Sequence, residues 1–263
     1  MLPIDLPLAS RVTLVTGVTR PQGIGYAIAM RLSALGADLA VHSFIDYDRK
    51  QPYWDGSSMA GKPLAQSLLD AGHRVIHLDA DLSQIGSAEV LFERALAEFT
   101  HIDILVLNHA ADIAQGLGQL SDHDTDYIMS VNVRASLMLV QEFARQHESG
   151  TDGRVIMMTS GQDLGPMQSQ LAYAASKGAI SSLTRSLSDA LVDQGITVNT
   201  VNPGPIDTGY ATPVELEDTR RRFPGKKWGQ PDDAARLIAW LCTDEARWIT
   251  GQVINSEGGF RRN

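Results

Sequence analysis

Short runs of β-branched and aliphatic residues alternate with longer segments of helical periodicity along this chain. The first are residues 11–16, a helical pattern over about 23–35, and residues 38–43. The alternation continues through 74–78, a helix near 87–99, 102–107, a long helix over about 122–147, and 154–159. A helix carrying Tyr173 and Lys177 follows, then 196–201, a short helix over about 232–242 and a last strand near 252–255. Strands joined through helices pair in parallel, because a parallel neighbour needs a crossover of about a dozen residues or more. Helices then cover both faces of the sheet. The pattern predicts an α/β fold with a doubly wound parallel sheet of seven strands in a three-layer α/β/α sandwich.

Two segments break this rhythm. Residues 44–61 are rich in Asp, Tyr, Trp and Gly, and residues 208–229 carry Pro213, Pro224 and many charges. In an open α/β sheet, ligands sit beyond the carboxyl ends of the strands, where both segments emerge. They read as an insertion and a substrate lid within one domain spanning 1–263. With 43% hydrophobic residues in 263, the chain can fill one large core. Its formal net charge of -9 argues against nucleic acid or an anionic membrane as partner. The single Cys242 forms no internal disulfide, and neither a secretory leader pattern nor a bilayer-length apolar run is present. The expected compartment is cytoplasmic.

Directly after the first strand comes Thr16-Gly17-Val18-Thr19-Arg20-Pro21-Gln22-Gly23-Ile24-Gly25, opening a helical pattern. Glycines there let the backbone turn tightly and bring amides to a pyrophosphate at the positive end of the helix dipole. Farther along, Tyr173 and Lys177 stand four residues apart, with Ser160 thirteen residues before the tyrosine. One helical turn puts the lysine on the tyrosine's face. A phenol loses its proton near pH ~10, and a fixed cation beside it favours the ionised form. The Ser160 hydroxyl can hold a substrate oxygen against Tyr173. This trio points to proton transfer.

With these motifs the chain resembles the classical short-chain dehydrogenase/reductases over nearly its whole length, and is most similar to the 3-oxoacyl-acyl-carrier-protein reductases among them. The resemblance implies a Rossmann-like fold. It places Gly17, Gly23, Ile24 and Gly25 at a dinucleotide pyrophosphate and Arg20 as a cofactor contact in the loop nearest the adenosine ribose, although five residues rather than the family's three separate Gly17 from Gly23. Asp81 and Leu82 match the adenine contact. The family's Asn-Asn-Ala-Gly becomes Leu107-Asn108-His109-Ala110, which leaves Asn108 and Ala110 as cofactor contacts and His109 as either a packed side chain or a ribose or substrate contact. Pro203, Gly204, Ile206 and Thr208 match the segment along the nicotinamide. Where an NAD enzyme commonly carries an acidic residue after the second strand, this chain has His42 and Ser43. A serine donor, a histidine able to become cationic and nearby Arg20 together favour NADP(H) over NAD(H), with Asp46 and Asp48 as the counterargument.

By the same resemblance, Tyr173 is the acid in carbonyl reduction, Lys177 holds the nicotinamide ribose and stabilises the phenolate, Ser160 donates to the substrate oxygen, and Asn132 binds a proton-relaying water. Ser160, Gln162, Met167, Gln170 and Tyr210, with Asp163 nearby, are the candidate substrate wall. The basic cluster Arg220, Arg221, Arg222, Lys226 and Lys227 reads as a solvated face or as a guide for an anionic carrier. The histidines form no metal pattern, since His73 and His77 fall on a strand. The expected function is an NADP(H)-dependent oxidoreductase interconverting a small-molecule ketone and a secondary alcohol, working as a homotetramer and including 3-oxoacyl-acyl-carrier-protein reduction. A catalytically silent dinucleotide-sensing or scaffold protein is the alternative, although it has no need of a complete Ser160, Tyr173 and Lys177 route.

Overall fold

The computed structural model describes residues 6–51, 54, 62–148 and 151–262. The seven strands are β1 (Val12–Val15), β2 (Asp38–Ser43), β3 (Val75–Asp79), β4 (Ile104–Leu107), β5 (Gly153–Met158), β6 (Ile196–Asn202) and β7 (Val253–Asn255). They form one sheet in the order β3-β2-β1-β4-β5-β6-β7, every pair parallel. The chain therefore winds outward from β1 to β3, crosses back, and continues from β4 on the other side. That reversal opens a crevice beyond the carboxyl ends of β1 and β4.

Successive strand residues point to opposite faces, and this divides the core into two. Val15, Val41, Ile104 and Val106 pack with Ile28 and Leu32 of α1 (Ile24–Ala34), Leu64 and Leu68 of α3 (Lys62–Asp70), and Ile238 of α9 (Pro231–Leu241). Their immediate neighbours Leu14, Ala40, Leu105 and Leu107 face the other way. There they meet Leu91 and Phe92 of α4 (Ser87–Phe99), Leu139 and Phe143 of α6 (Ala135–Gln146), and Ile180 of α7 (Leu171–Leu191). Leu14 and Val15 are both fully buried, one in each core, so β1 is covered on both faces.

The structure departs from the sequence pattern in four places, one of them α3, where no element was expected between residues 61 and 74. The helix expected over 122–147 is two, α5 (Asp122–Met129) and α6, joined by a π turn at Ser130–Arg134. Periodicity sees one helix because the π turn changes the facing of residues without breaking the backbone ladder. The segment 44–61 begins as a single turn, α2 (Ile45–Asp48), while residues 52–53 and 55–61 of that expected insertion lie outside the described residues. The 208–229 segment contains α8 (Pro213–Arg221), whose start was legible. Thr212 and Glu215 form a capping box with Pro213 in the first turn.

Candidate functional site

Gly17 ends β1 with φ 73°, a left-handed value that strains any residue with a Cβ. A Cβ there would lie 2.8 Å from the His109 Cα, and one on Gly25 would overlap the Gly17 carbonyl oxygen and fall 2.6 Å from Asn108 Nδ2. Backbone thus meets backbone where β1, α1 and the segment after β4 converge. Asn108 Nδ2 donates to the carbonyls of Gly17 (3.0 Å) and Thr16 (3.2 Å), so this side chain fastens the turn. Helix α1 begins after Gly23 with no side-chain cap and no acidic residue in its first turn. Its amide-bearing residues Gly23, Ile24 and Gly25 line the large cleft. Uncapped amides and the positive end of the dipole fit a pyrophosphate. Arg20 crosses the cleft from this turn, donating to the Thr208 carbonyl (3.1 Å) and pairing with Asp48 (3.6 Å).

At the end of β2 the structure corrects two expectations. His42 donates from Nε2 to the Ala80 carbonyl (2.9 Å), while Gly17 N–H approaches its Nδ1 (3.4 Å). Complete burial pushes the imidazole down to about 4, so it stays neutral and is no cation for a phosphate. The Ser43 hydroxyl is spent on His77 Nε2 (2.6 Å) and the residue does not line the cleft. His42, Phe44, Tyr47, Asp48 and Gln51 line that wall. Asp81 and Leu82 do line the cleft. The Asp81 carboxylate accepts from Ser83 N (2.9 Å) and Gln84 Nε2 (3.0 Å).

His109 lines the cleft and is held there by hydrogen bonds at both ring nitrogens. Its Nδ1 shares a hydrogen bond with the Thr16 hydroxyl (2.7 Å), its Nε2 donates to the Val131 carbonyl (3.0 Å), and burial takes it down to about 3. Two neutral buried histidines make stability depend on pH. Their folded pKa values lie below the ordinary 6.5, so between 6.5 and about 4 for His42, or about 3 for His109, the unfolded chain holds more protons. Stability is full above 6.5 and falls as pH drops through that window. Urea titrations should show the midpoint falling on acidification, with unfolding near about pH 5 taking up roughly two protons from these residues. A flat midpoint between neutral and mildly acidic pH would contradict their burial as neutral rings.

Ser160 follows β5, and Tyr173 and Lys177 lie on the first turns of α7. The Ser160 hydroxyl hydrogen-bonds the Tyr173 phenol, and both residues line the cleft. The buried Lys177 Nζ donates to the Met158 carbonyl (2.9 Å) and stands 5.6 Å from the Tyr173 ring centroid. Proximity to lysine was expected to ease ionisation of the phenol. Instead, burial first and the Asp112 charge second push Tyr173 up to about 12, with the Ser160 bond opposing. Burial also pushes Lys177 down to about 8, which Asp112 partly offsets. The phenol therefore keeps its proton at neutral pH, the form an acid needs. Asn132, carried inward by the π turn, does not line the cleft. Its Nδ2 donates to the Ala111 carbonyl (2.9 Å) and Ser176 Oγ (2.9 Å), and its Oδ1 accepts from Ala111 N (2.7 Å), tying the post-β4 segment to α7.

The cleft encloses about 1280 Å³ and runs from the glycine turn past Tyr173 to the lid. Ala110, Pro203, Gly204, Ile206 and Thr208 are on its wall, and so are Met167, Gln170 and Tyr210. Gln162 is not. Its Nε2 donates to Thr159 Oγ1 (3.1 Å) and Ser181 Oγ (3.2 Å), which removes it from the substrate wall. Gly204 (φ 69°) packs against Glu257, which accepts from Asn202 Nδ2 (2.9 Å) and pairs with Arg262. Arg220 and Arg221 pair with Glu217 on α8, which accords with a solvated face, while Arg222, paired with Asp218, lines the cleft. Sequence reasoning missed Asp112, Tyr47 and Arg262 on the wall. None belongs to a motif, and only the sheet topology brings them there. Among the described residues no cluster of three or more His, Cys, Asp or Glu side chains is arranged for a metal, and no helix is long and apolar enough to cross a membrane.

Comparison with known proteins places these features in a family context. A family model described as Enoyl-(Acyl carrier protein) reductase matches residues 17–261. An uncharacterized oxidoreductase, YjdA, of Bacillus subtilis (strain 168) is 40% identical over 254 residues, covering 96% of this chain and 97% of that protein. The angucycline C-6 ketoreductase LanV, solved with bound NADP, is 32% identical with a TM-score of 0.85, over 96% of each chain. A short chain dehydrogenase from Burkholderia cenocepacia J2315, also in complex with NADP, gives 32% identity and a TM-score of 0.85, covering 96% of this chain and 98% of the other.

Proposed function

The chain belongs to the short-chain dehydrogenase/reductase family of oxidoreductases, and from that premise we propose that it is an NADP(H)-dependent enzyme interconverting a ketone and a secondary alcohol. The observation that carries the proposal is the Tyr173 phenol, set beside Ser160 on the cleft wall with Lys177 Nζ 5.6 Å from its ring centroid. A bound nicotinamide dinucleotide supplies the hydride. Gly23, Ile24 and Gly25 would hold its pyrophosphate, and Pro203, Gly204, Ile206 and Thr208 its nicotinamide end. Ser160 donates to the carbonyl oxygen and orients it. Tyr173 delivers its phenolic proton to that oxygen as negative charge develops there. Lys177 faces the resulting phenolate, and its positive charge offsets the desolvation that otherwise keeps the phenol protonated. Asn132 acts by position, holding Ala111 and Ser176 in register.

The NADP bound to LanV and to the Burkholderia protein supports the phosphorylated coenzyme, as does Arg20 on the cleft wall. With His42 neutral and Ser43 turned to His77, Arg20 is the cation left from the original grounds. Arg20→Gln is therefore expected to lower the NADPH to NADH ratio of kcat/KM by about tenfold, an effect of one charged hydrogen bond. An unchanged ratio would remove Arg20 from coenzyme selection. The reaction itself is tested by following nicotinamide absorbance with ketones and secondary alcohols, a 3-oxoacyl thioester among them, since the family model is described by an acyl-carrier reductase. Absence of turnover with every member and both coenzymes would favour the sensing or scaffold reading. A homotetramer is part of the proposal, carried over from the family resemblance, and light scattering measures it. The proposed compartment is the cytoplasm, which cell fractionation tests.

A further inference from the structure

Asp112 is a carboxylic acid placed where the chemistry would occur. It lines the cleft four residues beyond Asn108 and interacts electrostatically with both Tyr173 and Lys177. Its position is fixed from three sides. The Tyr47 hydroxyl accepts from the Asp112 N–H (2.9 Å), Asn132 holds the preceding Ala111, and Gln170, immediately before α7, donates from Nε2 to Asp112 Oδ2. The other oxygen, Oδ1, is buried with no close hydrogen-bond partner in the protein, the Ile113 amide adding only a weaker pull on the carboxyl. A buried acceptor left unmatched costs free energy that a ligand donor recovers on binding. Gln170 uses its amide on one oxygen and so leaves Oδ1 available without leaving the carboxyl loose.

We propose that Asp112 is a specificity-determining residue whose carboxyl accepts a hydrogen bond from a hydroxyl on the carbon beside the reacting carbonyl, making α-hydroxy ketones the substrate class. The inference rests on the reductase reading above and deepens it. A hydroxyl next to the carbonyl reaches a group on the same stretch of wall as Tyr173. A bare alkyl group there leaves Oδ1 desolvated and unpaired, while a carboxylate in that position is repelled. The raised pKa of Asp112, caused by burial, agrees with an acceptor held away from water, and a hydroxyl bonds either protonation state.

The test uses the full chain with saturating NADPH and two near-isosteric pairs, hydroxyacetone against butanone and 2-hydroxy-1-phenylethanone against 1-phenylpropan-1-one. The wild type should favour the hydroxylated member of at least one pair by about tenfold or more in kcat/KM, because a site built for a hydroxyl rejects an analogue that lacks one. Asp112→Leu should bring that ratio close to one, and Asp112→Asn, which keeps an acceptor oxygen and the shape, should leave it between the two. Melting curves and NADPH fluorescence confirm that the variants fold and take up coenzyme. Equal rates on both members in the wild type would overturn the assignment and leave the reductase reading standing, and so would a preference that survives Asp112→Leu. A fall of both members together, with the ratio kept, assigns Asp112 to Lys177 alone and also overturns it. Turnover of no ketone at all overturns the reductase reading and this inference with it.

Discussion

Tyr173→Phe lowers kcat for ketone reduction by roughly 10²–10⁴-fold, the span expected for loss of a positioned general acid. The substitution removes one hydroxyl and keeps the ring, whose face lies towards Lys177 with Nζ 5.6 Å from the centroid. The partner of that hydroxyl is Ser160, which still has the substrate oxygen to bond, so coenzyme affinity and melting temperature should change little. Stopped turnover with retained NADPH fluorescence enhancement is the expected result. Turnover equal to wild type would mean that the proton comes from elsewhere. The pH profile provides an internal control. With the phenol at about 12 and the ammonium at about 8, reduction should decline as pH rises through about 8, where Lys177 loses its charge while Tyr173 keeps its proton.

Gly25→Ala should weaken the coenzyme half of the site almost as severely. The new methyl overlaps the Gly17 carbonyl oxygen and sits 2.6 Å from Asn108 Nδ2. Neither neighbour can yield cheaply, because one is backbone and the other is bonded to the carbonyls of Thr16 and Gly17. Overpacking of this kind costs about 1–3 kcal/mol, and displacement of α1 from the turn by the same amount of free energy corresponds to roughly a 5–150-fold loss in dinucleotide affinity. Calorimetric titration with NADPH measures the affinity, and thermal melting reports the stability loss beside it. An alanine variant that binds as tightly as the wild type would show that the turn has slack, contrary to the contacts seen.

The large features of this molecule were readable from residue order because they depend on local pattern. The spacing of apolar runs gave seven strands, and residues 87–99 were placed to the residue because that helix is amphipathic and lies between clear strands. The Ser160, Tyr173 and Lys177 trio was legible for a similar reason, since two of the three share a helix face. What escaped notice depends on distant partners. Nothing near Ser43 in the sequence says that His77 on β3 will take its hydroxyl, and nothing near His42 says that Ala80 and Gly17 will enclose it. The direction of the Tyr173 shift was missed because a sequence gives the lysine's position but not the extent of burial around the phenol. Asp112 and Arg262 are single residues outside any motif, and only the folded cleft shows them together.

The placement of β1 between β2 and β4 has a consequence for how the molecule is assembled. The glycine turn at residue 17 is held by Asn108, ninety-one positions farther along, so the nucleotide end of the crevice is incomplete until the chain has closed a long loop. Closing such a loop is entropically uphill before any contact repays it, which sets a slow step in folding. The nascent chain must shelter a half-built sheet, with the hydrogen-bonding edge of β1 unpaired, until its fourth strand arrives.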